Sequence, residues 1–195
     1  MHIPYQKSLE IMKREFNEVL NGNKKGVIIL FESEDVYTYT KEEPNLKTNI
    51  PLIKVNRGGG ITYHGLGQRV VYPILNLKDY KKDISWYVNK LQEWIINTMY
   101  ELNITCYLNE KYVGVWTKYN KCDTKIASIG IAVRRWITLY GFSVNLFNNI
   151  DNFRNIVPCG IKNVKMSSCS ILGKEISFCD FDYYLKKNFY KIFSN

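Results

Sequence analysis

Apolar residues recur at helical spacing from the start of the chain. Leu9, Met12, Phe16, Val19 and Leu20 fall on one face, and the "NGN" at residues 21–23 ends that helix. The continuous apolar run "GVIILFES" predicts a buried strand, and the alternating "VYTYT" a second one. Residues 41–49 are polar, contain Pro44 and predict a surface loop. "PLIKVN" and "QRVVYPILNL" then predict two strands that enter and leave a glycine-rich loop. Pro73, which has no N–H to give a ladder, places the second at a sheet edge or at a bulge. Ile84, Tyr87, Val88, Leu91, Trp94, Ile95, Met99 and Leu102 mark a long amphipathic helix. "NITCYLNE" and "YVGVWTKY" are strand-like, "NKCDT" reads as a turn, and "KIASIGIAV" and "WITLYGFSVNL" are two further strands bent at "RRW". After Pro158, Cys159 and Gly160 the chain reads as loop up to Ser168, and a last helix is expected from about residue 181 to 192.

Helices and strands are mixed without strict βαβ alternation, and neither an internal repeat nor a linker breaks the pattern. The expectation is one α+β domain over residues 1–195, built on a mixed or mainly antiparallel sheet flanked by helices. The chain has 195 residues, enough to bury a core without staples. No apolar run is long enough for a membrane span, and charged residues interrupt the N-terminal segment as no signal peptide would, so a cytoplasmic protein is expected. Cys106, Cys122, Cys159, Cys169 and Cys179 contain no CxxC pair and fit neither a metal site nor a disulfide framework. Four of them read as small buried or half-exposed hydrophobes, and at most one as chemical. The net charge of +9 calls for a partner or a bias. With lysines scattered among asparagine and tyrosine and no nucleic-acid module in sight, nucleic acid is set aside.

The chemistry-bearing stretch is "KVNRGGGITYHGLGQRVVYPILNL", residues 54–77. A glycine triplet lets backbone approach a ligand closely, or forms a mobile hairpin tip. It makes neither a GxGxxG nor a P-loop pattern. His64 reads as a general base, a hydrogen-bond donor or a packed structural residue, and a lone histidine is usually the last of these. Cys159, between Pro158 and Gly160 in a stretch without hydrophobic periodicity, reads as a nucleophile or as filler. A thiol nucleophile needs a neighbour that makes it a thiolate, and His64 and a nearby lysine are the candidates. Lys125, at the head of "KIASIGIAV", is by itself an exposed strand-end lysine.

Taken together, "RGGGITYHGLGQ", "KIASIGIAVRRWITLYGFSVNL" and "FRNIVPCGI" resemble, in order, three blocks of the lipoyl(octanoyl) transferase family: RGG-x-x-TYHGPGQ, the paired strands around K-I-x-x-I/L-G and H-G-F/L, and F-x-x-I-x-PCGI. The N-terminal helix and "GVIILFES" fit as well, so the resemblance spans most of the chain. It implies the fold of the biotin and lipoate protein ligases, with no cofactor and no metal. It also implies transfer of an octanoyl group from octanoyl-acyl carrier protein to a lysine of an acceptor protein. The acceptors implied are the lipoyl domains of 2-oxoacid dehydrogenase complexes and the glycine cleavage H protein. On the family motif Cys159 is the nucleophile and Lys125 the partner that lowers its thiol pKa. Arg57, Gly58, Gly59, Gly60, Ile61, Thr62, Tyr63, His64, Ser128, Ile129, Gly130, Gly141, Phe142 and Ser143 line the acyl pocket. The basic net charge suits acidic carrier and acceptor proteins.

The sequence departs from the family pattern in four places. Leu66 stands for the proline of HGPGQ, "FESEDVYTYT" lacks an upstream histidine, prolines and glycine, Tyr140 and Ser143 flank the Gly141-Phe142 pair where histidine and alanine are usual, and the turn before Lys125 is long. Two rival functions share the fold class: an ATP-dependent lipoate or biotin ligase, which needs no nucleophilic cysteine, and a non-catalytic acyl- or protein-binding relative. A Cys159–His64 pair with Lys125 as bystander is the rival mechanism.

Overall fold

The computed structural model describes residues 2–42, 44–161 and 164–194, and of Cys159 the backbone alone. Helix α1, Tyr5–Leu20, is followed by strands β1 (Gly26–Phe31), β2 (Val36–Tyr39), β3 (Leu52–Lys54), β4 (Thr62–His64) and β5 (Gln68–Leu75). Helix α2, Ile84–Glu101, comes next, then β6 (Tyr107–Leu108), β7 (Val115–Tyr119), β8 (Cys122–Arg134) and β9 (Ile137–Asn145). Helix α3, Phe178–Phe193, follows β9. Short 3-10 turns at Leu77–Asp79, Ile150–Asn155 and Pro158–Gly160 complete the order.

Six strands form one sheet in the order β1-β5-β9-β8-β7-β6, antiparallel throughout; β3-β2-β4 form a smaller sheet in which β2 and β3 run parallel. The fold is thus α+β with a mixed arrangement of strands between helices, as expected. Helix α1 covers one face of the large sheet, setting Tyr5, Met12, Phe16 and Val19 against Ile29, Phe31, Val70, Tyr72 and Ile74. Helices α2 and α3 cover the other, where Leu91, Trp94, Ile95 and Met99 meet Val71, Leu75, Ala127, Phe142, Val144 and Leu185. Every residue of β5 is buried because both of its faces are covered and its side chains alternate between the two cores. Among the described residues no helix is long and apolar enough to cross a membrane.

The structure corrects several local expectations. Pro73 lies not on an edge but in the interior strand β5, opposite Ile28 of β1. It is tolerated because the ladder to β9 closes at Val71–Phe142, before the proline is reached. Beyond that point the Thr138 hydroxyl takes over, donating to the Pro73 carbonyl at 2.6 Å and accepting from the Leu75 N–H at 2.9 Å. The irregularity falls in the neighbouring strand, where Tyr140 adopts φ 59°. Only Asn120 and Lys121 form the turn expected of "NKCDT"; with φ of 48° and 62° they make a two-residue hairpin, and Cys122 already belongs to β8. Arg135 and Trp136 turn β8 into β9 in the same way. Of "NITCYLNE" only Tyr107 and Leu108 pair as strand. Helix α3 begins three residues early, at Phe178, because Ser177 caps it by accepting from the Asp180 N–H at 3.1 Å. Cys106 and Cys122 are half-buried and Cys169 is buried, whereas Cys179 is exposed.

Candidate active site

The glycine loop is laid across β8. The Gly58 N–H donates to the Ile131 carbonyl at 2.8 Å, and the Arg57 guanidinium donates to the Gly58 carbonyl at 2.8 Å and to Thr38 Oγ1 at 2.7 Å. Gly130 permits this approach: a Cβ there would stand 2.9 Å from the Gly58 carbonyl and 3.0 Å from Arg57 Cδ.

Beside this contact a cleft opens. Arg57, Thr62, His64, Ser128, Ile129, Gly130, Gly141, Phe142 and Ser143 line it, together with Val70, Tyr72 and Tyr140. A second, more apolar groove shares Ile129 and Gly130 with the cleft and is lined also by Gly58, Gly59, Val88, Lys111, Tyr112, Val113, Ile131 and Ile161. Gly60, Ile61 and Tyr63, expected with the others, line neither. Side chains alternate along β4, so Thr62 and His64 face the cleft while Ile61 and Tyr63 face away. Those two pack with Tyr37 and Phe153, and the Tyr63 hydroxyl donates to Asp35 Oδ1 at 2.7 Å. Val70, Tyr72 and Tyr140 were missed for the same kind of reason. The i, i+2 alternation that puts Val70 and Tyr72 on one face of β5 is legible, but which face looks into a cleft is not. Tyr140 reaches it only through its positive φ, which turns its ring from the α2 side toward Tyr72, 5.7 Å away.

Lys125 is not the exposed strand-end lysine its sequence position suggests; it is 1% exposed. Its Nζ donates to the Val113 carbonyl at 2.9 Å and lies 5.8 Å from the centre of the Trp116 ring. Gly114 makes room for it, since a Cβ there would collide with Lys125 Cε. The Lys125 backbone is clamped by residues from the far end of the chain: its N–H donates to the Lys165 carbonyl, and its carbonyl accepts from the Ser167 N–H at 2.9 Å. The 3-10 turn Pro158–Gly160, carrying the Cys159 backbone, packs against β4. The Cys159 side chain lies outside the described structure.

His64 is 5% exposed, stacks on Tyr5 with ring centres 5.2 Å apart, and shares a 2.7 Å hydrogen bond between Nδ1 and Gln68 Oε1. Burial, helped by the nearby Arg57 charge, pushes its pKa down to about 3, so the ring is neutral at working pH. Two other polar groups on the cleft, Thr62 Oγ1 and Ser128 Oγ, are buried without a hydrogen-bond partner in the structure. A buried orphan hydroxyl costs about 1–3 kcal/mol, a cost a bound ligand would relieve.

The family model of the lipoyl protein ligase A/B catalytic domain matches residues 4–190. The chain is 41% identical over 197 aligned positions to the octanoyltransferase of Rickettsia canadensis, covering 97% of this chain and 94% of that one. Among solved structures, a bipartite lipoate protein ligase from Thermoplasma acidophilum superposes with a TM-score of 0.73 at 15% identity, over 98% of this chain and 81% of that one. The biotin protein ligase of Aquifex aeolicus follows with a TM-score of 0.51 at 12% identity, over 81% and 69%. The two superpositions speak for the fold alone. With the family model covering nearly every residue and a curated relative at this identity along its whole length, the chain belongs to the lipoyl protein ligase A/B catalytic-domain family and, within it, to the octanoyltransferases.

Proposed function

We propose that the whole chain acts as one catalytic domain that moves an octanoyl group from the thioester of octanoyl-acyl carrier protein to a lysine ε-amine of a lipoyl domain, by way of a thioester on Cys159. The observation that carries this reading is the burial of Lys125 on β8, the strand that also brings Ser128, Ile129 and Gly130 to the cleft, with the Cys159 turn packed on β4, two of whose residues line that cleft.

The steps balance without a cofactor or ATP. The Cys159 thiolate attacks the carrier thioester carbonyl, a new C–S bond forms, the carrier's C–S bond breaks, and the carrier leaves as a thiol with the proton of the Lys125 ammonium. The acceptor amine then attacks the same carbonyl carbon, a C–N bond forms, the C–S bond to Cys159 breaks, and the amine proton passes to Lys125. Splitting the reaction conserves the thioester's energy until the amide forms. A backbone N–H of the glycine loop beyond Gly58, whose own N–H is committed to the Ile131 carbonyl, is suited to the tetrahedral oxyanion. The acyl chain lies over Ile129 and Gly130, the residues shared by cleft and groove, and gains about 0.8 kcal/mol per buried methylene. The acceptors are the lipoyl domains of 2-oxoacid dehydrogenase complexes and the H protein. The +9 net charge steers the chain toward acidic partners.

Intact-protein mass spectrometry after mixing with octanoyl-acyl carrier protein, without ATP, tests the proposal. A single octanoyl adduct, removed by hydroxylamine and mapped to Cys159, is expected. A folded protein that takes up no adduct, and is acylated only with ATP and free octanoate, overturns it in favour of a ligase.

A further inference from the structure

Gln68 opens β5 and Asn145 closes β9, and the register sets them opposite each other. Both are buried, at 0% and 2% exposure, as is the Ser167 carbonyl they lead to. Asn145 Nδ2 donates to the Ser167 carbonyl at 3.0 Å, which leaves Asn145 Oδ1 as an acceptor. Gln68 Nε2 donates to that oxygen at 2.9 Å and to the Tyr63 carbonyl at 3.3 Å. The Gln68 amide cannot be turned round, because its oxygen would then face two other oxygens. Its Oε1 therefore faces His64 Nδ1 at 2.7 Å as a pure acceptor, and His64 must supply the proton. Two backbone carbonyls, which cannot donate, thus anchor a relay that dictates one tautomer. His64 Nε2 is left bare of hydrogen and forms no hydrogen bond among the described residues, on a cleft that also holds the orphan hydroxyls of Thr62 and Ser128.

We propose that Gln68 and Asn145 are positioning residues that hold His64 in its Nδ1–H tautomer, so that Nε2 offers the cleft a fixed hydrogen-bond acceptor that orients the incoming lysine ε-amine. The assignment of the amine rests on the functional reading above. The chemistry favours it: a neutral amine has N–H donors for an imidazole lone pair and for hydroxyl oxygens, while Arg57 on the same cleft disfavours the ammonium form. The groups facing the imidazole are Tyr5 from α1, Arg57 from the glycine loop and Gln68 from β5, none of them a carboxylate. The ring is thereby a neutral guide for the nucleophile, with proton removal left to Lys125.

The chain has only two histidines, so long-range ¹H–¹⁵N correlation spectra of ¹⁵N-histidine-labelled protein read His64 directly, with exposed His2 as internal control. A protonated Nδ1 and a bare Nε2, unchanged from pH 5 to 8, are expected. In Gln68→Met the two tautomers mix; transfer from preformed octanoyl-enzyme to a lipoyl domain falls about tenfold, the worth of one lost hydrogen bond, while loading of Cys159 changes less than about twofold. Asn145→Leu, which removes one of two anchors, shifts both readouts the same way by less. Protonated Nε2 in the unaltered chain overturns the proposal, and so does a Gln68→Met protein in which loading and transfer fall together. Should the unaltered chain take no octanoyl group at all, the functional reading fails, and the tautomer spectrum still decides whether the relay exists.

Discussion

Among the described residues two cations are almost fully buried, Lys125 on β8 and Arg69 on β5, and the fold holds them in different ways. Arg69 is stacked over Phe178 of α3 at 4.0 Å and bonded to Asp182 of the same helix at 2.9 Å. It ties the sheet to the helix that closes the α2 side. Lys125 has among its contacts the Val113 carbonyl, 2.9 Å from its Nζ, and the face of Trp116. A carboxylate on α3 confines the Arg69 charge to the fold, whereas Lys125 sits on the strand that also carries cleft residues Ser128, Ile129 and Gly130. The first arrangement suits a fastener and the second suits a reagent. Variants at the two sites are expected to dissociate stability from activity.

The largest effect is expected at Lys125. Lys125→Met keeps the apolar stem and deletes the charge, so octanoyl transfer falls by about a thousandfold, within the range a lost general base produces. The melting temperature stays level or rises, since a buried ammonium no longer has to be desolvated. Near-normal turnover would make Lys125 a second fastener and hand the role to His64. At the other site Asp182→Ala leaves Arg69 buried without its carboxylate. Asp182 is 30% exposed, which brings the cost to about 3 kcal/mol, the low end for a broken buried pair. Denaturant unfolding reads that loss, and loading of Cys159 below the transition is unchanged. Replacing both partners, as Arg69→Met with Asp182→Leu, recovers most of the stability, because Arg69 Nε and Nη1 and Asp182 Oδ1 are already without partners.

The contrast between these cations marks how far sequence reading reaches. Periodicity finds α1 and α2 because one face of each is apolar, and it finds most strands because they read as continuous or alternating apolar runs. It misses what depends on neighbours remote in sequence. Lys125 looks like any strand-end lysine until the carbonyls of Val113 and Lys165 and the space left by Gly114 surround it. Pro73 argues for an edge until Thr138, 65 residues away, supplies the bonds its strand lacks. The role of Gln68 depends on a register that places it opposite Asn145, 77 residues on. By contrast, the separation of Thr62 and His64 from Ile61 and Tyr63 is carried by strand alternation alone, and the sequence supports it once β4 is known to be extended.

His64 extends the comparison to acid. Its folded pKa of about 3 lies below the usual 6.5, because burial penalises the charged ring. Above pH 6.5 neither state takes the proton and the full stability is present. As pH falls from 6.5 toward 3 the unfolded chain binds a proton that the folded chain refuses, and stability drops. From pH 6.5 to 5 this amounts to about 2 kcal/mol. His64→Asn retains a donor toward Gln68 without a titrating ring, so the difference between the two proteins should shrink with that slope on acidification. Parallel stability curves for the two would mean that water reaches His64 and that burial does not hold its ring neutral.

The smallest effect is expected where α3 begins. Ser177 accepts from the Asp180 N–H at 3.1 Å and donates its hydroxyl to Asp180 Oδ2 at 2.6 Å, closing the first turn of the helix one residue after the cap. Phe178, the ring under Arg69, is that next residue, and Asp182 lies one turn further on. Ser177→Ala should cost about 1 kcal/mol, the usual worth of an N-cap. If the cap and the ion pair brace the same end of α3, the double variant with Asp182→Ala loses less than the sum of the single losses, because a frayed first turn has already loosened what Asp182 holds. Octanoyl transfer is untouched in all three proteins, since none of these groups reaches the cleft. Strict additivity would show that the Arg69 anchor holds α3 by itself, with the cap acting only on the helix end.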